Sequence, residues 1–222
     1  MPKSIGFIHT VSSKPITHPF SYFYSLIIDF QNIQFIYEDS ILDLMKCELV
    51  ENRLIVWNIE DSRKLFSSGY YGKPIGIPKP KFDEIDVPLI LDLMEGLYLL
   101  ETKKITIYKE KKKITTHDMV EICKKEYHDF DKKYLVYKNF RDKGYIINPG
   151  LKFGCDFAVY EKGPGIDHAP FLIQVYNRSD TISSTAIVLA GRLATTVRKQ
   201  FILAIPKGKD KVDFLALDWW KA

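Results

Sequence analysis

From residue 45 onward, apolar positions recur in some stretches every second residue and in others every three to four, which predicts strands and helices following one another. Residues 47–57 read as two short strands around a Glu51-Asn52 turn, with Leu54, Val56 and Trp57 half buried. NIEDSRKLFSSG then predicts a short helix capped by Asp61 or Ser62 and stopped at Gly69. GKPIGIPKPK is a loop, kept extended by prolines that cannot donate to a ladder. Pro88 suits the first helical position of PLILDLMEGLYLLETKK, in which Leu89, Leu93, Leu97 and Leu100 recur at helical spacing. A strand pair, Ile105 to Tyr108 and Ile114, turns at KEKKK, a solvated hairpin tip. Met119, Ile122 and Cys123 then mark an amphipathic helix.

Asp129 to Lys132 read as a linker, followed by a helix over FDKKYLVYKNFRDKGY that ends at Gly144. Period-two patterning resumes at Tyr145 to Ile147 and, past the turn Asn148-Pro149-Gly150, at Lys152 to Tyr160. In that strand Phe153, Cys155, Phe157 and Val159 face one way and Asp156, Ala158 and Tyr160 the other. The uncharged run Phe171 to Tyr176 is predicted to be a central strand. Ser183 or Ser184 caps a helix from Thr185 to Arg198 whose inner face is Ile187, Ala190, Ala194 and Val197. QFILAI, the basic turn PKGKDK and VDFLALDWW close the chain with two strands. The predicted fold class is α/β, or α+β: a small mixed domain over 45–130, and a domain over 131–222 with a central mixed β-sheet flanked by helices.

Residues 1–44 differ from all that follows. They are aromatic-rich, broken by Pro15 and Pro19, and read as an atypical extension that forms a strand or two at most; Met45 is the expected start of translation. The net charge is only +4, but the extension sets Lys3 and Lys14 against Asp29, Glu38, Asp39 and Asp43, leaving a more basic body that favours a polyanionic partner. Cys47, Cys123 and Cys155 have neither CxxC spacing nor a histidine pair at ligand distance, so no metal site or disulfide framework is expected and a reducing cytoplasm fits. Charges interrupt the longest apolar runs, which excludes a membrane span, and the N-terminus lacks the pattern of a secretory signal.

The chemistry-bearing residues lie between positions 145 and 199. Tyr160 ends a strand, His168 follows a glycine-containing loop, and Lys199 stands where a helix gives way to a strand. Taken singly, each has a structural reading: the tyrosine packs, the histidine is satisfied locally, the lysine offsets a helix dipole. Taken together they supply what cleavage of RNA by its own 2′-OH requires, namely a base, an acid and a cation beside the charged phosphorus. An imidazole titrating near pH 6.5 suits the acid. A phenol of pKa about 10 is a scarce base, so either neighbouring cations lower it or it positions the hydroxyl.

YLVYKNFRDKGY, GLKFGCDFAVY, the loop into HAPFLIQV and GRLATTVRKQFILAI resemble the catalytic domain of the archaeal tRNA-splicing endonucleases, and SSGYYGKPIG and PLILDLMEGLYLLE resemble that family's N-terminal domain. The resemblance does not reach residues 1–44. It implies a catalytic triad of Tyr160, His168 and Lys199, with the tyrosine as base. It also implies a precursor tRNA substrate with a bulge-helix-bulge, cleavage to a 2′,3′-cyclic phosphate and a 5′-OH, and no cofactor or metal. Arg192, seven residues before Lys199, would share its helix face and stack on a flipped-out base, and Trp219 would serve as a second clamp. The family's acidic subunit-joining loop is matched by the basic PKGKDKVD, which favours a heterotetramer with a homologous non-catalytic subunit over a homo-oligomer. The apolar last strand offers that partner an edge. Two alternatives stand beside this: a non-catalytic RNA-binding subunit of the same complex, and a metal-dependent nuclease built on Asp156, for which the following Gln174-Val175-Tyr176 supplies no second carboxylate.

Overall fold

Two six-stranded mixed sheets carry the helices in a computed structural model that describes residues 9–10, 44–78, 80–81, 85–166 and 168–217. In chain order the elements are β1 (His9–Thr10), β2 (Met45–Val50), β3 (Arg53–Val56), α1 (Ile59–Gly69), β4 (Lys73–Pro74), β5 (Leu89–Leu91), α2 (Leu93–Glu101), β6 (Ile105–Lys109) and β7 (Lys112–Lys113). They continue with α3 (Thr116–Glu126), α4 (Phe130–Asp142), β8 (Ile146–Pro149), β9 (Phe157–Tyr160), β10 (Phe171–Val175), α5 (Ser184–Thr196), β11 (Gln200–Lys207) and β12 (Lys211–Leu217). The first sheet has the order β4-β5-β3-β2-β6-β7 and the second β1-β12-β11-β10-β9-β8. The α/β reading therefore holds, with strand pairs of both senses in each sheet. No helix among the described residues is long and apolar enough to cross a membrane.

Several sequence expectations are corrected, each by an interaction that spacing alone does not display. α1 is capped by Asn58, whose side chain accepts from the Asp61 N–H, while Ser62 is buried and donates to Val56 and Asn58 carbonyls. Leu89 and Leu91 do not open a helix: they form β5 against β3 and are fully buried. α2 begins only after Asp92, whose carboxylate and that of Glu95 make a reciprocal capping box. Trp57 is 53% exposed, its ring N–H donating to Glu48. The predicted linker Asp129 to Lys132 is mostly helix, because α4 starts at Phe130, a core residue whose ring stacks with Tyr134.

The stretch Lys152 to Cys155 is not strand either. A 3-10 turn over Leu151–Phe153 follows Gly150, where a side chain would meet Cys155 Sγ at 2.5 Å and backbone at 2.8 Å. The turn resets the alternation, so Cys155 joins Ala158 on one side of the sheet while Phe157 and Val159 join the core under α4. On α5, Ala190 and Val197 pack inward as expected, but Ile187 is exposed; the Ala194 side chain lies outside the described residues. Of residues 1–44 only 9–10 and 44 are described, and His9–Thr10 form β1, paired antiparallel with Ala216 and Leu215 of β12.

A buried charge ties the two halves together. The Arg141 side chain of α4 is 2% exposed. Its Nε donates to the Tyr137 hydroxyl, Nη1 to the Gly69 carbonyl at 2.7 Å, and Nη2 to the Ile147 carbonyl and Glu95 Oε1, the last at 3.5 Å. The guanidinium also lies 4.2 Å from the centroid of the Tyr71 ring. Glu95 in turn accepts from the N–H groups of Asp92 and Gly72. Arg141→Met leaves Glu95 buried without its cation and is expected to lower the unfolding free energy by about 3–5 kcal/mol in a urea titration. Burial pushes the Glu95 carboxyl up to about 7 from 4.5, with Arg141 opposing the rise. The folded state then holds the proton that the unfolded state has released, so this group's contribution to stability declines as pH rises from 4.5 to about 7. The melting temperature should fall across that window and Glu95→Gln should flatten the fall; an unchanged slope in Glu95→Gln would assign it to another group.

Candidate active site

Strand register gathers the three candidate residues. β9 and β10 run antiparallel with Val159 opposite Phe171, and β10 and β11 run parallel with Phe171 opposite Gln200. Tyr160 lies one residue past that row, Lys199 one residue before it, and His168 three residues before it. All three therefore stand at one end of the sheet, on adjacent strands spaced about 4.8 Å apart. The Gln200 N–H closes the row with a 2.8 Å bond to the Pro170 carbonyl.

Lys199 and His168 are joined directly. The Lys199 ammonium donates to the backbone carbonyl of His168 and, at 2.8 Å, to that of Ala169. These two carbonyls flank Ala169, which is buried and held at φ 34°, a left-handed conformation that an alanine keeps only when its surroundings enforce it. The ammonium also lies 5.4 Å from the centroid of the Phe153 ring, within cation-π range. One lysine thus places a positive charge at the sheet end and fixes the backbone of the histidine beside it.

His168 is exposed and borders a cavity of about 910 Å³. Its other walls come largely from the first half, including Tyr70, Lys73, Pro74, Ile77 and Pro78. Tyr160 is half buried and packs against the cores on both sides of the sheet. Phe153 and Tyr70 are the neighbours that sequence reasoning missed. The signal for Tyr70, a tyrosine pair enclosed by Gly69 and Gly72, was visible but carries no chemistry by itself.

Arg192 and Lys199 do not share a helix face. α5 ends at Thr196 with Val197 as its cap, and Arg198 turns left-handed at φ 53°, so Lys199 leaves along the strand direction. Arg192 is exposed on the helix. Trp219 lies outside the described residues.

Asp156 is engaged within the fold. One carboxylate oxygen accepts from Gln174 Nε2 at 2.7 Å and the Val175 N–H at 2.8 Å, and the other pairs with Lys133 of α4 at 2.8 Å. Among the described residues, no three His, Cys, Asp or Glu side chains converge in a metal-binding group.

A phenol, an imidazole and an ammonium thus stand at one sheet end, and the imidazole borders a cavity walled largely by the first half. Comparison with known proteins narrows this. Residues 130–214 match the tRNA intron endonuclease catalytic C-terminal domain, and residues 45–120 match the tRNA intron endonuclease N-terminal domain. The chain is 42% identical over 180 residues to the tRNA-splicing endonuclease of Hyperthermus butylicus, which covers 80% of this chain and 99% of that one. It is 40% identical over 176 residues to the tRNA-splicing endonuclease of Sulfurisphaera tokodaii, with 78% and 98% covered. With that of Pyrobaculum arsenaticum the identity is 41% over 171 residues, covering 75% and 93%. The chain belongs to the tRNA intron endonuclease family and is an enzyme of tRNA splicing. If Asp156 serves only the fold, Asp156→Ala should lose about 1–3 kcal/mol of stability by leaving the part-buried Val175 N–H without this acceptor. Cleavage assayed well below its melting temperature should persist; loss of cleavage in a folded Asp156→Ala protein would return the carboxylate to the chemistry.

Proposed function

We propose that the chain excises introns from precursor tRNA at bulge-helix-bulge sites without a metal ion, leaving 2′,3′-cyclic phosphate and 5′-OH ends. The observation that supports this reading is the convergence of Tyr160, His168 and Lys199 at one sheet end, with Lys199 bonded to the His168 backbone. In the proposed reaction Tyr160, acting as phenolate, takes the proton of the ribose 2′-OH, and His168 starts as the imidazolium. The 2′-oxygen then bonds to the adjacent phosphorus while the bond from phosphorus to the 5′-oxygen breaks. His168 gives its proton to that departing oxygen, and Lys199 offsets the charge that grows on the phosphoryl oxygens. The exposure of His168 and Arg192 suits a macromolecular substrate, with Arg192 stacking on an unpaired base and Trp219 as the second clamp.

His168→Ala should slow single-turnover cleavage by about 10²–10⁴-fold, as loss of a general acid does. Tyr160→Phe and Lys199→Met should also abolish most cleavage while precursor binding persists. Incubation in EDTA followed by end-group analysis checks the rest: 3′-OH ends, or activity lost with the chelator, would refute the metal-free mechanism.

The proposed assembly is a heterotetramer with a homologous non-catalytic subunit, in the cytoplasm. It is supported by the basic β11–β12 hairpin, where Lys209 and Lys211 are exposed and Lys207 pairs with Asp213. Light scattering should find the active tetramer only after the partner is added; an active homotetramer of this chain alone would overturn the assembly.

A further inference from the structure

We propose that Tyr70, in the first half of the chain, is a positioning residue for His168: its ring is the seat on which the loop from Tyr160 to His168 is held. The inference rests on the reading of His168 as the proton donor.

Gly163 of that loop is buried at φ 127°, a conformation open to glycine, and a β-carbon there would collide with Cε2, Cζ and Cδ2 of Tyr70. Backbone and ring are thus in direct contact, and no other residue type could approach as closely. Immediately beyond, Gly163-Pro164-Gly165-Ile166 forms a β-turn in which the Ile166 N–H bonds to the Gly163 carbonyl at 3.0 Å and Gly165 takes φ 88°. The strand residue Tyr160 thus precedes the described part of the loop, Tyr70 meets it at Gly163, and the Lys199 bonds hold His168 and Ala169.

Tyr70 is itself immobilised. It caps α1 in the left-handed region at φ 54°, with its N–H on the Phe66 carbonyl at 2.7 Å and its ring edge-on to Phe66 at 5.3 Å. The residues around it are locked by the buried pair. Arg141 takes the Gly69 carbonyl and lies on the Tyr71 ring, and Glu95 takes the Gly72 N–H. A chain of contacts thus runs from a buried interdomain ion pair to the loop that carries an exposed histidine. The ring touches that loop at Gly163, and the role assigned to it is to position the acid.

The test is single-turnover cleavage of an intron-bearing precursor tRNA by the assembled enzyme carrying Tyr70→Ala, Tyr70→Phe or His168→Ala. Two substrates are used: the normal one, and one with sulfur in place of the scissile 5′-oxygen, a leaving group that departs without a proton. Tyr70→Ala should slow the normal substrate by about 10–100-fold, the scale of loss from a misplaced catalytic group. Affinity for an uncleavable 2′-deoxy precursor should be unchanged. Tyr70→Phe, which keeps the ring, should restore the rate. On the thio substrate both Tyr70→Ala and His168→Ala should regain most of their loss. Unimpaired Tyr70→Ala beside an impaired His168→Ala overturns the proposal alone, as does a Tyr70→Ala defect that the thio substrate leaves in place. Unimpaired His168→Ala removes the reading beneath it. If Tyr70→Ala melts below the assay temperature, Tyr70→Leu, which keeps bulk without the flat ring, is read by the same criteria.

Discussion

The Arg141 guanidinium is the constraint on which the arrangement of the two halves depends. It keeps its charge at any physiological pH, and a buried charge is tolerated only when nearly every donor finds an acceptor. Its acceptors come from the end of α1, from α2, from β8 and from its own helix, so no one element can satisfy it alone. Such a pair adds little net stability compared with a well-packed apolar substitute, yet a half-satisfied version is costly. Its effect is therefore on geometry. Arrangements of the halves that leave the guanidinium unpaired are penalised, and the arrangement that remains places the 69–72 segment against the loop before His168.

At the other end of that chain of contacts, the sheet solves a different problem. Tyr160, His168 and Lys199 are separated by helix and loop in sequence, yet each needs only a fixed offset from one row of paired residues to stand at the same edge. The parallel pairing of β10 with β11 makes this possible, because the α5 crossover returns the chain to the sheet end from which β10 starts. Left-handed backbone at Ala169 and Arg198 then turns the chain sharply on both sides of the site. The Lys199 bonds to consecutive carbonyls hold the first of these, and the second terminates α5, with the Arg198 N–H on the Thr195 carbonyl at 3.1 Å.

Sequence alone was sufficient for the existence and order of most helices and for the central place of β10, since these follow from periodicity that persists over many residues. It failed where a local signal competed with a distant partner. Leu89 fits the helical spacing of α2, but pairing with β3 claims it, and the Asp92–Glu95 box fixes the real start. The run Lys152 to Tyr160 alternates well enough to read as one strand, but the close approach at Gly150 breaks it into turn and strand. The candidate site residues stood out in the sequence only because their motifs resemble a family, since each taken singly has a structural reading. Tyr70 and Arg141 were not, because a tyrosine after a helix and an arginine within one look ordinary until the other half of the chain is packed upon them.

An enzyme that cuts within a folded RNA cannot close a lid around its substrate as a small-molecule enzyme does. On the proposed function, the exposure of His168 fits such a substrate. An open site forgoes the ordering that closure provides, so its reacting groups must already be placed before the substrate arrives. On the proposed mechanism that placement would be shared among a strand register, a lysine bonded to the histidine's own backbone, and an aromatic ring from the other half. The first half walls the cavity that His168 borders and sets Tyr70 against Gly163, so on the proposed mechanism it would belong to the scaffold of the site.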